Sequence, residues 1–319
     1  MRFLVTGAAG FIGHHLCAAL LDRGFEVWGL DDLSRGVEKR IRGLKKLGLE
    51  FIMLDIRDRV GLVDAVSKIS PDVVIHLAAL TSVDESFRKP GLYRAVNAGG
   101  TENVVLAANE AGAWRLIYAG SAAVYGDPIE LPIREDHPAR PLSPYGETKL
   151  EGEKIALTRF RGDGGAISLR LFNVYGWGQN PEYAGVITKF IERVRSGQPP
   201  IIFGDGEQTR DFVHVRDVAE AVARASEAEI SGSEIFNIGS GKWIRIRDLA
   251  RMVASLFGRD LEPVYAGPRP GDIRRSYADI SKAEKILSWS PKIGLEEGLS
   301  NLIKTGEQAS WRGLSPCWD

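Results

Sequence analysis

Apolar residues along the first half of this 319-residue chain follow two alternating rhythms. Short uninterrupted runs read as strands: Arg2–Thr6, Phe25–Leu30, Phe51–Leu54, Asp72–His76, Arg115–Ala119 and Ala166–Leu171. In Asp72–His76 the β-branched content and the lack of period-two alternation mark a strand buried on both faces. Between the runs, apolar positions recur at helical spacing. Phe11–Arg23 carries Leu16, Leu20 and Leu21 on one side and stops at Gly24. Val60–Ile69, Tyr93–Ala111 and Pro144–Phe160 also read as helices. Such β-α-β alternation predicts a parallel sheet covered by helices on both faces.

After Leu171 the rhythm shortens and turn signals multiply, at Tyr175-Gly-Trp-Gly, Gln198-Pro-Pro and Gly204-Asp-Gly206. Helices are expected at Val215–Ala228, Ile246–Phe257 and Ile280–Leu287, with a strand at Glu234–Ile238. The division expected is a sheet domain over 1–171, to which 213–238 returns, and a smaller mixed α/β domain over 172–319. Glu307–Asp319 is weakly patterned and reads as a loosely held tail.

Composition narrows the class. The chain is 44% hydrophobic and 26% charged, ordinary for a globular protein able to bury a large core. Its 41 basic and 42 acidic residues leave a net charge of −1, which argues against nucleic acid or a membrane surface as partner. No apolar run approaches the ~18 residues of a membrane span, and Met1–Gly13 lacks the layout of a signal peptide. The two cysteines, Cys17 and Cys317, lie at opposite ends, so neither a disulfide framework nor a structural zinc site is expected. No metal is expected from the five histidines either, since no HExxH pattern occurs. The reading is a soluble, cytoplasmic protein.

The first strand runs into Gly7-Ala-Ala-Gly10-Phe11-Ile12-Gly13, and a helix follows. Glycines there permit a tight turn and let backbone amides approach a pyrophosphate, to which the helix start adds partial positive charge. Asp31 ends the second strand, 18 residues past Gly13. A carboxylate there accepts hydrogen bonds from an adenosine ribose and repels a 2′-phosphate, which favours NAD over NADP. Asp55, ending the third strand, is placed to meet the adenine amino group. His76-Leu77-Ala78-Ala79 closes the fourth strand with small residues suited to a cofactor lying across strand ends. His76 itself reads as a packed histidine.

Tyr145 and Lys149 stand at i and i+4, on one face of a helix. A phenol ionises near pH 10. A neighbouring ammonium and a nicotinamide cation would lower that value and make Tyr145 a general base. Ser121 follows the fifth strand and could hydrogen-bond the same substrate oxygen.

These motifs together closely resemble the extended short-chain dehydrogenases, in particular the nucleotide-sugar epimerase and dehydratase group. The resemblance covers nearly the whole chain. It rests on TGAAGFIG at 6–13, Asp31-Asp-Leu-Ser-Arg-Gly36, HLAA at 76–79, SAAVYG at 121–126, YGETK at 145–149 and RLFNVYG at 170–176. GDGEQTRDFVHVRDV at 204–218, FNIG at 236–239 and RPGDIRRSYAD at 269–279 extend it. It implies a Rossmann-type doubly wound parallel sheet with a smaller mixed α/β C-terminal substrate domain, and tightly held NAD. The cofactor residues it implies are Gly7, Gly10, Phe11, Ile12, Gly13, Asp31, Asp32, Ser34, Arg35, Gly36, Asp55, Ile56, Leu77, Ala78, Ala79, Thr81 and Asn97, with Tyr145 and Lys149. Asn173, Arg210 and Arg269 would hold a nucleotide diphosphate, with Asp272 nearby. Phe203, Phe212, Val186 and Ile187 would lie near the nucleobase.

The resemblance also bears on the reaction. Related dehydratases usually carry an acid just after the Ser/Thr, but Ala122 and Ala123 stand there. Elimination lacks its acid, so a UDP-sugar 4-epimerase is expected, interconverting UDP-glucose and UDP-galactose. Ser276 takes the place of a bulky Tyr found in narrow relatives, which leaves room for UDP-GlcNAc and UDP-GalNAc. Alternatives are a UDP-glucuronate 4-epimerase, a CDP-sugar 2-epimerase, a 4-keto reductase or a non-catalytic NAD-binding protein. The group commonly forms homodimers through a four-helix bundle, here built from the helices near Tyr93–Ala111 and Pro144–Phe160.

Overall fold

The computed structural model describes residues 1–179, 185–268 and 273–308. Its first half runs β1 (Arg2–Thr6), α1 (Phe11–Asp22), β2 (Glu26–Asp31), α2 (Glu38–Lys45), β3 (Glu50–Met53), α3 (Arg59–Ile69) and β4 (Val73–His76). Then come α4 (Val83–Arg88), α5 (Pro90–Tyr93), α6 (Gly100–Glu110), β5 (Arg115–Ser121), α7 (Pro144–Arg159) and β6 (Ala166–Leu171). The second half continues with β7 (Asn173–Tyr175), α8 (Val186–Arg195), β8 (Ile201–Phe203), β9 (Thr209–Arg210), β10 (Phe212–His214), α9 (Val215–Glu227) and β11 (Glu234–Ile238). It ends with β12 (Ile244–Arg245), α10 (Ile246–Leu256), β13 (Val264–Ala266), β14 (Arg275–Ser276), α11 (Ser281–Leu287) and α12 (Leu295–Gln308).

Seven strands form one parallel sheet in the order β11-β6-β5-β4-β1-β2-β3. Every residue of β4 and β6 is buried, because helices cover both faces. On one face Leu16, Leu20, Val218 and Val222 bring α1 and α9 against the sheet. On the other, Val66, Val104 and Ala156 bring in α3, α6 and α7. Chain order reverses between β1 and β4, and such a reversal opens a crevice at the carboxyl ends of the strands.

A third apolar cluster is built from Ile187, Phe190, Leu249, Val253 and Leu299, on α8, α10 and α12. β11 nevertheless joins the main sheet beside β6, and Trp289 packs into the cluster under α9. Arg115 explains part of this return. It is fully buried at the start of β5, and its guanidinium donates to the carbonyls of Gly164, Ala225, Ala228 and Ile230. The last carbonyls of α9 have no partner within the helix, so one side chain meets a need left by helix geometry.

One predicted helix is corrected. Tyr93–Ala111 is not a single α-helix: Arg94–Gly99 forms one wide turn before α6 begins at Gly100. Inside that turn the buried Asn97 side chain accepts from Leu80 N and donates to Leu80 O and Thr148 Oγ1. Wide turns of this kind concentrate at functional sites. α2, α4, α8, α12 and all of α5 but Tyr93 lie outside the helices that the sequence pattern predicts. The expected tail beyond residue 308 lies outside the described residues.

Candidate active site

Backbone meets backbone where β1 ends. Gly7 takes φ +73°, and a Cβ there would come within 2.8 Å of Ala78 N at the end of β4. A Cβ on Gly13 would lie 2.1 Å from Gly7 O, so only glycine lets α1 pack on the turn. Gly10 caps α1 without a side-chain hydrogen bond, and no acid occupies the first turn, which Phe11 and Ile12 open. The uncapped amides of this helix start suit an anion. Leu77 N donates to Thr6 O, Ala78 N to Thr6 Oγ1, and Ala79 follows.

Asp31 stands beside this turn. Its carboxylate accepts from Ala9 N at 3.0 Å and Leu33 N at 2.8 Å, which leaves acceptor capacity for a ribose hydroxyl. Burial pushes the Asp31 carboxyl upward, against those two amides. A Cβ on Gly36 would crowd its Oδ1 to 2.7 Å, so the glycine keeps this edge open. These residues fit the adenosine and pyrophosphate of a dinucleotide.

Other predicted cofactor residues have partners within the chain. Asp32 accepts from Ser34 N and Oγ, and Arg35 holds both carboxylate oxygens of Glu85. Asp55 is engaged by Arg57 at 2.9 Å, which lowers its carboxyl. Ile56 is buried against Gly100, whereas Thr81 is exposed. His76 is packed, as its sequence suggested: Nδ1 lies 2.7 Å from Thr6 Oγ1 and Nε2 3.0 Å from Thr101 Oγ1.

Ser121, Tyr145 and Lys149 come together. Ser121 ends β5, and its hydroxyl lies close enough to the Tyr145 phenol to favour its ionised form. Ser143 caps α7 by accepting from Gly146 N, and Pro144 sets the first helical residue, so Tyr145 sits in the first turn. The Lys149 amine lies over the Tyr118 ring, 4.3 Å from its centroid. Burial pulls Lys149 down to about 7, with Glu153 opposing. Burial also raises the Tyr145 phenol, against the lowering influence of the Ser121 hydroxyl. The expectation of a lowered phenol is therefore not met by the chain's own groups, because desolvation outweighs them.

Beneath this trio lies a network that leaves little trace in the sequence. Glu153, one turn past Lys149, takes Arg170 at 2.6 and 3.0 Å and Ser168 Oγ at 2.8 Å, all buried. Arg170 stacks on Tyr125, whose hydroxyl donates to Asn237. The second i, i+4 step along α7 was its one signal.

On the substrate side, Arg210 and Ser276 pair in register across β9 and β14. Asn173 donates its amide to Asp211 O. Asp211, which no sequence motif singles out, is fully buried and accepts from Ser240 N and Oγ, Gly241 N and Ala278 N. It ties the exits of β9, β11 and β14 together. Phe203 is half-buried at the end of β8 and Val186 half-buried on α8, whereas Ile187 and Phe212 are buried in the third cluster. Arg269 and Asp272 lie outside the described residues. Among the described residues no His, Cys, Asp and Glu group could hold a metal, and no helix is long and apolar enough to cross a membrane.

A doubly wound sheet with a glycine-rich turn at its switch point and a Ser-Tyr-Lys trio at the next strand end defines a nucleotide-dependent short-chain dehydrogenase-type site. The chain belongs to the NAD dependent epimerase/dehydratase family, which matches residues 3–239. It is 39% identical over 309 residues to the UDP-glucose 4-epimerase of Mycolicibacterium smegmatis, spanning 95% of this chain and 98% of that one. Its structure is similar to a UDP-glucose 4-epimerase with UDP-glucose from Thermotoga maritima, at TM-score 0.90 and 35% identity, over 97% and 99% of the two chains. It is also similar to the Thermus thermophilus UDP-glucose 4-epimerase complex with NAD, at TM-score 0.87 and 36% identity, over 97% and 100%.

Buried imidazoles set a pH dependence. In the folded chain His14 and His76 stay neutral down to about 3, because burial disfavours the cation. Unfolded, each takes a proton near pH 6.5. The unfolded state then binds more protons, so stability that is full above pH 6.5 is lost as pH falls. We predict that urea unfolding free energy drops by about 2 kcal/mol per histidine between pH 6.5 and 5. A flat profile would contradict this burial.

Proposed function

We propose that the chain is an NAD-dependent UDP-sugar 4-epimerase that interconverts UDP-glucose and UDP-galactose. The observation that carries this reading is the Ser121–Tyr145–Lys149 trio at the carboxyl edge of the sheet, beside the glycine turn and Asp31. Family membership and the epimerase relatives support it.

NAD, held by Gly7, Gly10, Gly13 and Asp31, would supply hydride acceptance and return, and positive charge on its oxidised ring. The chain does the proton chemistry. Tyr145 removes the proton of the sugar 4-hydroxyl and later returns it. Ser121 hydrogen-bonds the same oxygen and the phenol. Lys149 favours the phenolate, countering the burial that otherwise keeps the phenol neutral. Asn173 and Arg210, with Arg269, would anchor the diphosphate, as the forked guanidinium favours. Phe203 and Phe212 would flank the base. Held by these anchors, the 4-keto sugar can turn and present its other face. Ala122 and Ala123 offer no acid for elimination, so reduction back to the alcohol is the outcome.

The same reading assigns residues 1–171 with 213–238 to the cofactor and the rest mainly to substrate. It also places the protein in the cytoplasm as a homodimer, joined through the helices around 93–111 and 144–160 as the family resemblance implies.

Tyr145→Phe removes the proton carrier. It should lower kcat by roughly 10²–10⁴-fold in a coupled UDP-galactose assay, with substrate affinity little changed. Near wild-type turnover would overturn Tyr145 as the base. Ser276 is buried and small, in register with Arg210. We infer that it leaves room for an N-acetyl group. Ser276→Tyr should suppress conversion of UDP-GalNAc and spare that of UDP-galactose. Equal loss on both sugars would end that assignment.

A further inference from the structure

The small sheet that carries Arg210 and Ser276 has a second face. Its registers align Arg245 with Thr209 and Thr209 with Arg275, and likewise Ile244 with Arg210 and Arg210 with Ser276. Successive strand side chains point to opposite sides. Arg210 and Ser276 therefore share one face, while Thr209, Arg245 and Arg275 share the other. Glu207, Trp243 and Tyr277 lie just outside these two-residue strands, beside the same cavity. Together they line a cavity of about 480 Å³ bordered by Leu131 and Arg274. Small-molecule sites commonly occupy about 300–1,000 Å³.

The charges of this cavity do not balance. Three arginines line it against a single carboxylate, Glu207. Arg245 and Arg247 share Glu207 and Asp248, and Arg274 pairs with Asp205 at 2.8 Å, so the surplus at this face is Arg275. Arg275 is exposed and forms no ion pair among the described residues. Beside it Trp243 leaves 49% of its surface to water, and the Arg245 guanidinium stands 5.8 Å from its ring centroid. A planar ring next to a surplus guanidinium in a concave site offers stacking at one end and bidentate phosphate binding at the other. With a net charge of −1, the chain as a whole does not draw anions, so the preference is local.

We propose that this face is a second ligand site, taking a small phosphate ester whose ring stacks on Trp243 while Arg275 and Arg245 hold its phosphate. The ring is that of a nucleoside or of a sugar. The site lies on the opposite face of the sheet from Arg210 and Ser276, and it stands whether or not the proposed reaction does.

The test is calorimetric titration of the NAD-loaded protein, with excess UDP present to fill the first site. Adenosine monophosphate, glucose 1-phosphate and inorganic phosphate are titrated in turn at low salt. At least one ester should bind saturably, once per chain, and more weakly as salt rises. Adenosine monophosphate alone would identify a base on Trp243, and glucose 1-phosphate alone a sugar; either supports the site. Inorganic phosphate should bind at least tenfold more weakly. Arg275→Glu and Trp243→Ala should each weaken the ester at least tenfold while leaving kcat and KM for UDP-galactose unchanged. No binding of either ester, or binding that both variants retain, would overturn the proposal. Equal binding of inorganic phosphate would remove the stacking role of Trp243.

Discussion

Lys149 keeps an ammonium group almost out of reach of water, and the chemistry of the site follows from how that is tolerated. Desolvation penalises the charged form, and the amine falls to about 7. Two features oppose the penalty: the face of Tyr118 at 4.3 Å and the carboxylate of Glu153 one helical turn away. Neither makes an ion pair with Lys149 that would fix its charge permanently. The same burial raises the Tyr145 phenol. The pair is thus poised, and a positive charge arriving nearby shifts the phenol towards phenolate. A site that must take up a proton and return it in one cycle needs this balance.

The supporting structure serves that balance. Glu153 can face Lys149 because Arg170 and Ser168 satisfy its carboxylate. Leaving a buried carboxylate unpaired would cost far more than the interaction returns. Asn97 pins the segment after β4 to α7 from within the wide turn before α6. Asp211 does similar work on the substrate side, gathering four donors from two segments. Because Asp211 adjoins Arg210, it also fixes the strand that divides the small sheet into its two faces.

Much of this could be read along the chain. The buried strands stood out because helices on both faces make them continuously apolar, as in Val73–His76. The glycine turn stood out because Gly7 and Gly13 leave no space for a Cβ. Tyr145 and Lys149 were found because spacing alone sets their shared face. What stayed hidden depends on partners distant in sequence. Arg170 and Glu153 look like surface charges until strand and helix bring them together. Asp211 likewise gathers donors about 30 and 67 residues away, from Ser240, Gly241 and Ala278. Helix α2 shows no clear apolar period because only Ile41 and Leu44 of its eight residues are buried. The break before α6 arises from the needs of Asn97, which periodicity does not record.

In the proposed reaction the Ser121–Tyr145–Lys149 trio moves a proton to and from a sugar hydroxyl while the cofactor returns unchanged. The most direct measurement is proton NMR of UDP-galactose incubated with the purified protein and no added nicotinamide. UDP-glucose should accumulate to a stable mixture, with no net oxidised or reduced product. No conversion of UDP-galactose, even after NAD is supplied, would contradict the proposed reaction.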